Sequence, residues 1–196
     1  KYTWKLKDIL MVAIAGALFA VLYLGMVYLG TALTAVLTPF GLGALGFEPI
    51  YGVWFMAAVF TTYVIQKPGV GIVAEMLAAL LEVLMGNMFG PIIFISGFIQ
   101  GLGSELGFLA FGYRRFDLRA TALASVGCTV LSFIWTGIRS QYWTLAPWLV
   151  ALIFAVRLIS SFVFCGLGSK LLADGLARAG ILKGYALGQK LICPEE

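Results

Sequence analysis

Six apolar runs, separated by short polar connections, leave this chain few ways to fold. They lie at about 9–29, 49–65, 70–85, 91–113, 118–138 and 147–172. Several approach the roughly 20 residues that a helix needs to cross a bilayer. In hydrocarbon every backbone amide must find a partner within the chain, so only helices and closed barrels span it. The runs are continuous, without period-two alternation, which selects helices. The composition agrees, with 62% hydrophobic and 11% charged residues, where a soluble domain carries about a quarter charged. The expected fold is an all-α membrane protein, one integral membrane domain over 1–196 with six transmembrane helices. The second and third runs are short, which predicts tilted helices or funnel-like ends.

Punctuation between the runs is clear in places. Gln66-Lys67-Pro68-Gly69 ends the second run, Gly86-Asn87 ends the third, and Pro91 suits the first turn of the fourth. Residues 30–47 differ, being rich in threonine and glycine. They read as a long ordered loop between helices 1 and 2, of the kind that serves as a lid or binding loop. The amphipathic start, 1–8, and the absence of a small-residue cleavage site speak against a removed signal peptide. Cys128, Cys165 and Cys193 are isolated, with no metal spacing and no implied disulfide framework.

The net charge of +4 reflects topology rather than nucleic-acid binding. With a cytoplasmic N-terminus and six helices, one side carries Lys1, Lys5, Lys7, Lys67, Arg114, Arg115, Arg119, Lys170, Arg178, Lys183 and Lys190. The other carries only Arg139, and Arg157 falls within the sixth run. Basic residues accumulate on the cytoplasmic side, so both termini are expected there and the loop at 30–47 outside.

Four glutamates interrupt the apolar text: Glu48, Glu75, Glu82 and Glu105. A carboxylate in hydrocarbon costs several kcal/mol, about 2.5–3.5 on insertion scales, and marks function by default. The topology places Glu48 and Tyr51 near the outer end of helix 2, with Trp54 a turn deeper. Glu75 and Glu82 share one face of helix 3, about 10 Å apart along the axis. Asn87 follows at its outer end. Gln100 falls mid-membrane on helix 4 with Glu105 deeper, while Ser132, Trp135 and Arg139 rise toward the outer side on helix 5. These residues can converge on an outward-facing pocket beneath the loop. Acids and aromatic faces without a single histidine suit an organic cation rather than a transition metal. Asn87 and Gln100 add donors and acceptors for a heterocycle.

Each residue also has a plainer role. Glu105 and Arg157 can form a structural ion pair, Glu48 can cap helix 2, and Glu82 can be interfacial. Glu75 can pair with Lys67, and Asn87 can simply terminate helix 3. Trp4, Trp143 and Trp148 read as interfacial anchors. On helix 1, Ala13 and Ala17 begin a stripe of small residues where another helix can approach closely, either within the fold or from a partner.

About 190 residues, six helices, a basic cytoplasmic side and Ala13-x-x-x-Ala17 together resemble the substrate-binding S components of energy-coupling factor (ECF) vitamin transporters. Phe47-Glu-Pro-Ile-Tyr-Gly-Val-Trp54, Glu75 through Glu82 to Gly86-Asn87, and Gln100-Gly-Leu-Gly-Ser-Glu105 look like the YkoE family. The likeness covers essentially the whole chain. It implies high-affinity capture of thiamine or hydroxymethylpyrimidine in the plasma membrane. It also implies docking through Ala13 and Ala17 on a transmembrane coupling subunit, powered by two cytoplasmic ATPases on separate chains. Related sequences have been described as cobalt permease components, for which this chain lacks histidines and clustered cysteines. On this resemblance the site residues are Glu48, Tyr51, Trp54, Glu75, Glu82, Asn87, Gln100 and Trp135, with Glu105 and Arg157 as pair or site. No cofactor is expected.

The rival reading is an autonomous proton-coupled carrier or exporter of aromatic cations. An intramembrane enzyme is disfavoured, since the chain has no histidine base, no HExxH and no nucleophile–base pair.

Overall fold

The computed structural model describes residues 3–192, so Lys1 and Cys193 lie outside it. Every regular element among the described residues is helical. The order is α1 (Leu6–Leu37), a 3-10 helix (Glu48–Phe55) running into α2 (Met56–Ile65), then α3 (Val70–Leu84) and α4 (Ile92–Leu109). Next come α5 (Leu118–Arg139), α6 (Pro147–Ser160), a π-helical segment (Ser161–Gly168), α7 (Ser169–Arg178) and α8 (Ala186–Ile192). Among the described residues five stretches are long and apolar enough to cross a membrane: Leu6–Phe40, Gly43–Ile65, Ile92–Leu109, Leu118–Arg139 and Pro147–Arg178. The remaining apolar run forms α3, whose 15 residues reach only about 22 Å.

Helix α1 corrects the sequence reading. It continues to Leu37 instead of yielding to a loop near residue 30. Thr31, Thr34 and Thr38 turn their hydroxyls back onto the carbonyls of Val27, Gly30 and Thr34 at 2.8, 2.8 and 2.6 Å. The polar text of this region is thus satisfied inside one helix. Only short 3-10 turns, Thr38–Phe40 and Gly43–Leu45, remain before the helix at Glu48.

Helices α4 and α5 meet at small residues. A Cβ added at Gly107 would lie 2.3 Å from Ala124 Cα, so the backbones touch. At one end of the bundle, Asp8 accepts from Lys67 at 2.6 Å, Lys190 donates to Gln66 at 2.7 Å, and Lys7 donates to the Gly184 carbonyl. These contacts gather the start of α1, the turn before α3 and α8. Lys67 is therefore taken by Asp8 and does not pair with Glu75.

Buried Cys128 and Cys165 are free thiols. Cys128 donates to the Gln100 carbonyl at 3.2 Å, as space-filling helical cysteines do. Trp143 and Trp148 are exposed, in keeping with interfacial anchoring, whereas Trp4 packs against the core. Ala13 and Ala17 face outward while Ala15, Gly16, Phe19 and Ala20 turn inward, so the Ala13/Ala17 stripe is not consumed by internal packing.

Candidate functional site

The end of the bundle opposite the Asp8–Lys67 pair opens into a cavity of about 310 Å³. Val27 and Thr34 of α1, the 3-10 helix, the residues joining α3 to α4, and the end of α5 with its following turn all contribute to its lining. Of the residues expected from sequence, Glu48, Tyr51, Trp54, Asn87 and Gln100 line it. Phe47, Phe89, Ser96, Thr136, Arg139 and Tyr142 line it as well.

Aromatic rings form the wall. Trp54 contacts Phe47, Tyr51 and Tyr23 at centroid distances of 6.1, 5.9 and 6.4 Å, and Phe47 meets Phe89 edge-on at 5.7 Å. Gly30 makes room for this wall, since a Cβ there would lie 2.3 Å from the Phe47 ring. Phe47 and Phe89 were missed by the sequence reading because an isolated phenylalanine in apolar text carries no local signal. Trp135 stands one layer back, donating to Ser96 Oγ at 2.9 Å, and Ser96 in turn lines the cavity.

The acids separate into distinct roles. Glu48 is held by Arg157 through two parallel bonds of 2.6 Å, from Nε to Oε2 and from Nη2 to Oε1. The Arg157 side chain is fully buried, with its guanidinium carbon 3.7 Å from the Tyr51 ring centroid. It also donates to Ser132, Thr136 and Tyr142 at 3.4, 3.3 and 3.2 Å. Burial and the neighbouring Glu48 carboxylate hold the Tyr142 phenol well above its ordinary range, so it keeps its proton as a donor. This corrects the expectation that Arg157 belongs with Glu105. Glu48 does stand in the first turn of the 3-10 helix, as a helix-start acid would, but its oxygens accept from Arg157 and Tyr142.

Glu105 and Glu75 serve helix N-termini. Glu105 accepts from the Gly69 and Gly71 amides at 3.0 and 2.7 Å and from the Tyr113 hydroxyl, closing the start of α3. Glu75 accepts from the Ala58 amide at 2.9 Å and the Tyr23 hydroxyl at 3.2 Å, while Tyr23 receives the Ala57 amide at 2.9 Å. The shift from 3-10 to α winding at Phe55–Met56 exposes these amides inside the membrane, where water cannot reach them. Glu75 therefore lies behind the cavity and is not among its lining residues. Replacing Glu75 by alanine strands the Ala58 amide and should cost about 1–3 kcal/mol, with glutamine losing less because it keeps an acceptor. Thermal unfolding in detergent measures the difference.

Glu82, like Glu75, is not among the lining residues, and it stands behind Asn87 and Trp54 with unused capacity. It is fully buried, receiving Asn87 Nδ2 at 2.6 Å and Trp54 Nε1 at 3.4 Å on Oε1. Its Oε2 has no hydrogen-bond partner among the described residues. Asn87 Oδ1 in turn accepts the Phe89 amide at 2.7 Å, which fixes the amide's orientation. Among the described residues no three Asp, Glu, Cys or His side chains are grouped to hold a metal ion.

Comparison with known proteins places this architecture. Residues 7–131 match a family described as "ABC-type cobalt transport system, permease component". The chain is 39% identical over 189 residues to a Bacillus subtilis (strain 168) protein named "Putative HMP/thiamine permease protein YkoE". That alignment covers 96% of this chain and 92% of the relative. A solved structure described as an S-component of an ECF transporter superposes with a TM-score of 0.92 at 38% identity, covering 97% of this chain and 94% of that one.

Proposed function

Since the chain belongs to the YkoE family of S components of ECF transporters, we propose that its cavity captures thiamine or the hydroxymethylpyrimidine precursor. The protein is a multi-pass plasma-membrane protein and the substrate-binding subunit of a transporter, not an enzyme. The observation carrying the substrate assignment is the aromatic wall with Asn87 in the cavity lining, backed by Glu82, one of whose carboxylate oxygens is buried and has no partner among the described residues. An aminopyrimidine presents an exocyclic amine that a carboxylate accepts and ring nitrogens that an amide can answer. A thiazolium gains about 1–2 kcal/mol over the face of a desolvated aromatic ring such as Trp54 or Tyr51. The proposed site residues are Glu48, Tyr51, Trp54, Glu82, Asn87 and Gln100, with Trp135 and Glu75 supporting them from behind. Glu48 shapes the wall and does not meet the cation, because Arg157 already neutralises it.

The excess of basic residues at the opposite end supports an outward-facing cavity with cytoplasmic termini. Docking through Ala13 and Ala17 on a transmembrane coupling subunit, with two cytoplasmic ATPases releasing the vitamin inside, is part of the same proposal. Its support is the exposure of both alanines and the family relationship. Of the four acids, Glu75 and Glu105 are tied to backbone amides and Glu48 to Arg157, which leaves Glu82 as the carboxylate a proton-coupled carrier would have to use.

Tryptophan quenching of the purified protein by thiamine tests the assignment. Submillimolar binding of thiamine or the pyrimidine is expected, and failure of both to bind in that range would end the proposal. Ala13→Trp and Ala17→Trp should abolish vitamin uptake by cells while leaving binding by the isolated subunit intact. Lost binding would place the stripe within the fold.

A further inference from the structure

The end of the bundle opposite the cavity carries charge that the fold leaves unused. Arg114, Arg115 and Arg119 lie close together in sequence, between the end of α4 and the first turn of α5, and all three are exposed. No ion pair engages any of them among the described residues. Other basic side chains at this end are satisfied inside the protein, Lys7 by the Gly184 carbonyl, Lys67 by Asp8 and Lys170 by Asp174. Lys190 joins the arginines from α8, with its Nζ 5.5 Å from the Phe116 ring centroid, and Phe116 stacks on Phe108 at 5.6 Å. The acid of this stretch, Asp117, is spent as the α5 N-cap, where it accepts the Ala120 amide at 3.0 Å. Arg119 stands in the first turn of α5, where the helix dipole disfavours a cation. Membrane orientation calls for basic residues on one side, not for their gathering on one loop without internal partners.

We propose that Arg114, Arg115 and Arg119, with Lys190 beside them, form a binding site for the phosphate headgroup of an anionic phospholipid. Its place on the molecule selects a lipid over a free phosphate. The loop joins two stretches apolar enough to span a membrane, Ile92–Leu109 and Leu118–Arg139. Leu106, Leu109 and Leu118 beside it are 46%, 56% and 38% exposed, which gives acyl chains a surface to rest on while the headgroup meets the arginines. A planar guanidinium meets phosphate oxygens with two N–H donors at once, and such charge-assisted bonds are stronger than neutral ones. Each basic residue held at an anionic membrane surface strengthens binding about fivefold. The cytoplasmic orientation proposed above enters only in the choice of leaflet, and the vitamin plays no part.

The purified protein in detergent is titrated with phosphatidylglycerol, with phosphatidylcholine of the same chains and with glycerol 3-phosphate, and its melting temperature is read. Phosphatidylglycerol should raise the melting temperature saturably, and the other two should not. The triple variant Arg114→Gln, Arg115→Gln and Arg119→Gln should weaken the apparent phosphatidylglycerol affinity about tenfold or more. Arg178→Gln with Lys183→Gln removes two exposed basic residues elsewhere at the same end, and should change it by less than about threefold. Without lipid the triple variant should melt with the unchanged protein. Equal weakening per charge removed in the two variants means diffuse attraction and overturns the proposal. So does equal stabilisation by phosphatidylcholine, or by glycerol 3-phosphate, which would mark a site for a free anion. A triple variant that melts lower without lipid assigns the arginines to the fold. One that keeps its phosphatidylglycerol affinity but stops vitamin uptake by cells assigns them to an acidic protein partner. Either of these results also overturns the lipid site.

Discussion

Arg157→Met should destabilise the protein by about 3–5 kcal/mol and abolish vitamin binding. The substitution removes the partner of a buried carboxylate, and an uncompensated charge in the interior costs far more than the pair itself contributes. Glu48 would keep only the Tyr142 hydroxyl, at 3.5 Å. Tyr51 would lose the guanidinium packed on its ring, and Ser132 and Thr136 would lose a donor. The double variant Glu48→Leu with Arg157→Met should recover most of the stability, since an apolar pair of similar volume is often no worse than a buried ion pair. Vitamin binding should return only in part, because Tyr51 would still lack its anchor. Thermal unfolding in detergent and thiamine titration on the three variants test this. A single substitution that costs less than about 1 kcal/mol would show that the pair is weaker than its geometry indicates.

Gly52→Ala is the second large effect, and it arises from shape. Gly52 presses on the junction of α6 and the π-helical segment. An added Cβ would lie 2.3 Å from the Ser160 carbonyl oxygen and 2.6 Å from Ser161 Cα. The Gly52 amide also donates to Ser160 Oγ at 3.0 Å. Overpacking of a rigid site costs about 1–3 kcal/mol, and here backbone must yield instead of a side-chain tip. Tyr51 and Trp54 stand on the same short helix, so thiamine affinity should fall together with the melting temperature. Gly25→Ala is the control. That residue lies in α1 with nothing within 4 Å of an added Cβ, and alanine there should stabilise by about 0.5–1 kcal/mol.

Some of this architecture was legible before any coordinates. Continuous apolar runs can satisfy their backbones in lipid only as helices, and Gln66 to Gly69 and Gly86-Asn87 stop them where the text indicates. Both Gln66 and Gly69 adopt positive φ, at 59° and 82°. The extent of α1 was hidden because threonine and glycine read as loop in water, whereas in a membrane helix threonine bonds its own preceding turn. Arg157 needed an acid, but Glu48 and Glu105 lie 109 and 52 positions away, and nothing local chooses between them. The capping roles of Glu75 and Glu105 were equally invisible. They depend on where α2 and α3 begin relative to other helices, and a carboxylate in apolar text looks the same whether it meets a cation or two amides.

The aromatic wall is held together by its own ring contacts and by Arg157 against the Tyr51 ring. A side chain already packed against its neighbours surrenders less freedom on capture, where each newly ordered one costs about 0.5–1.5 kcal/mol. Phe47, Tyr51, Trp54 and Phe89 are four such side chains. For a substrate-binding subunit, a wall packed on itself and on Arg157 lowers the ordering cost of capture.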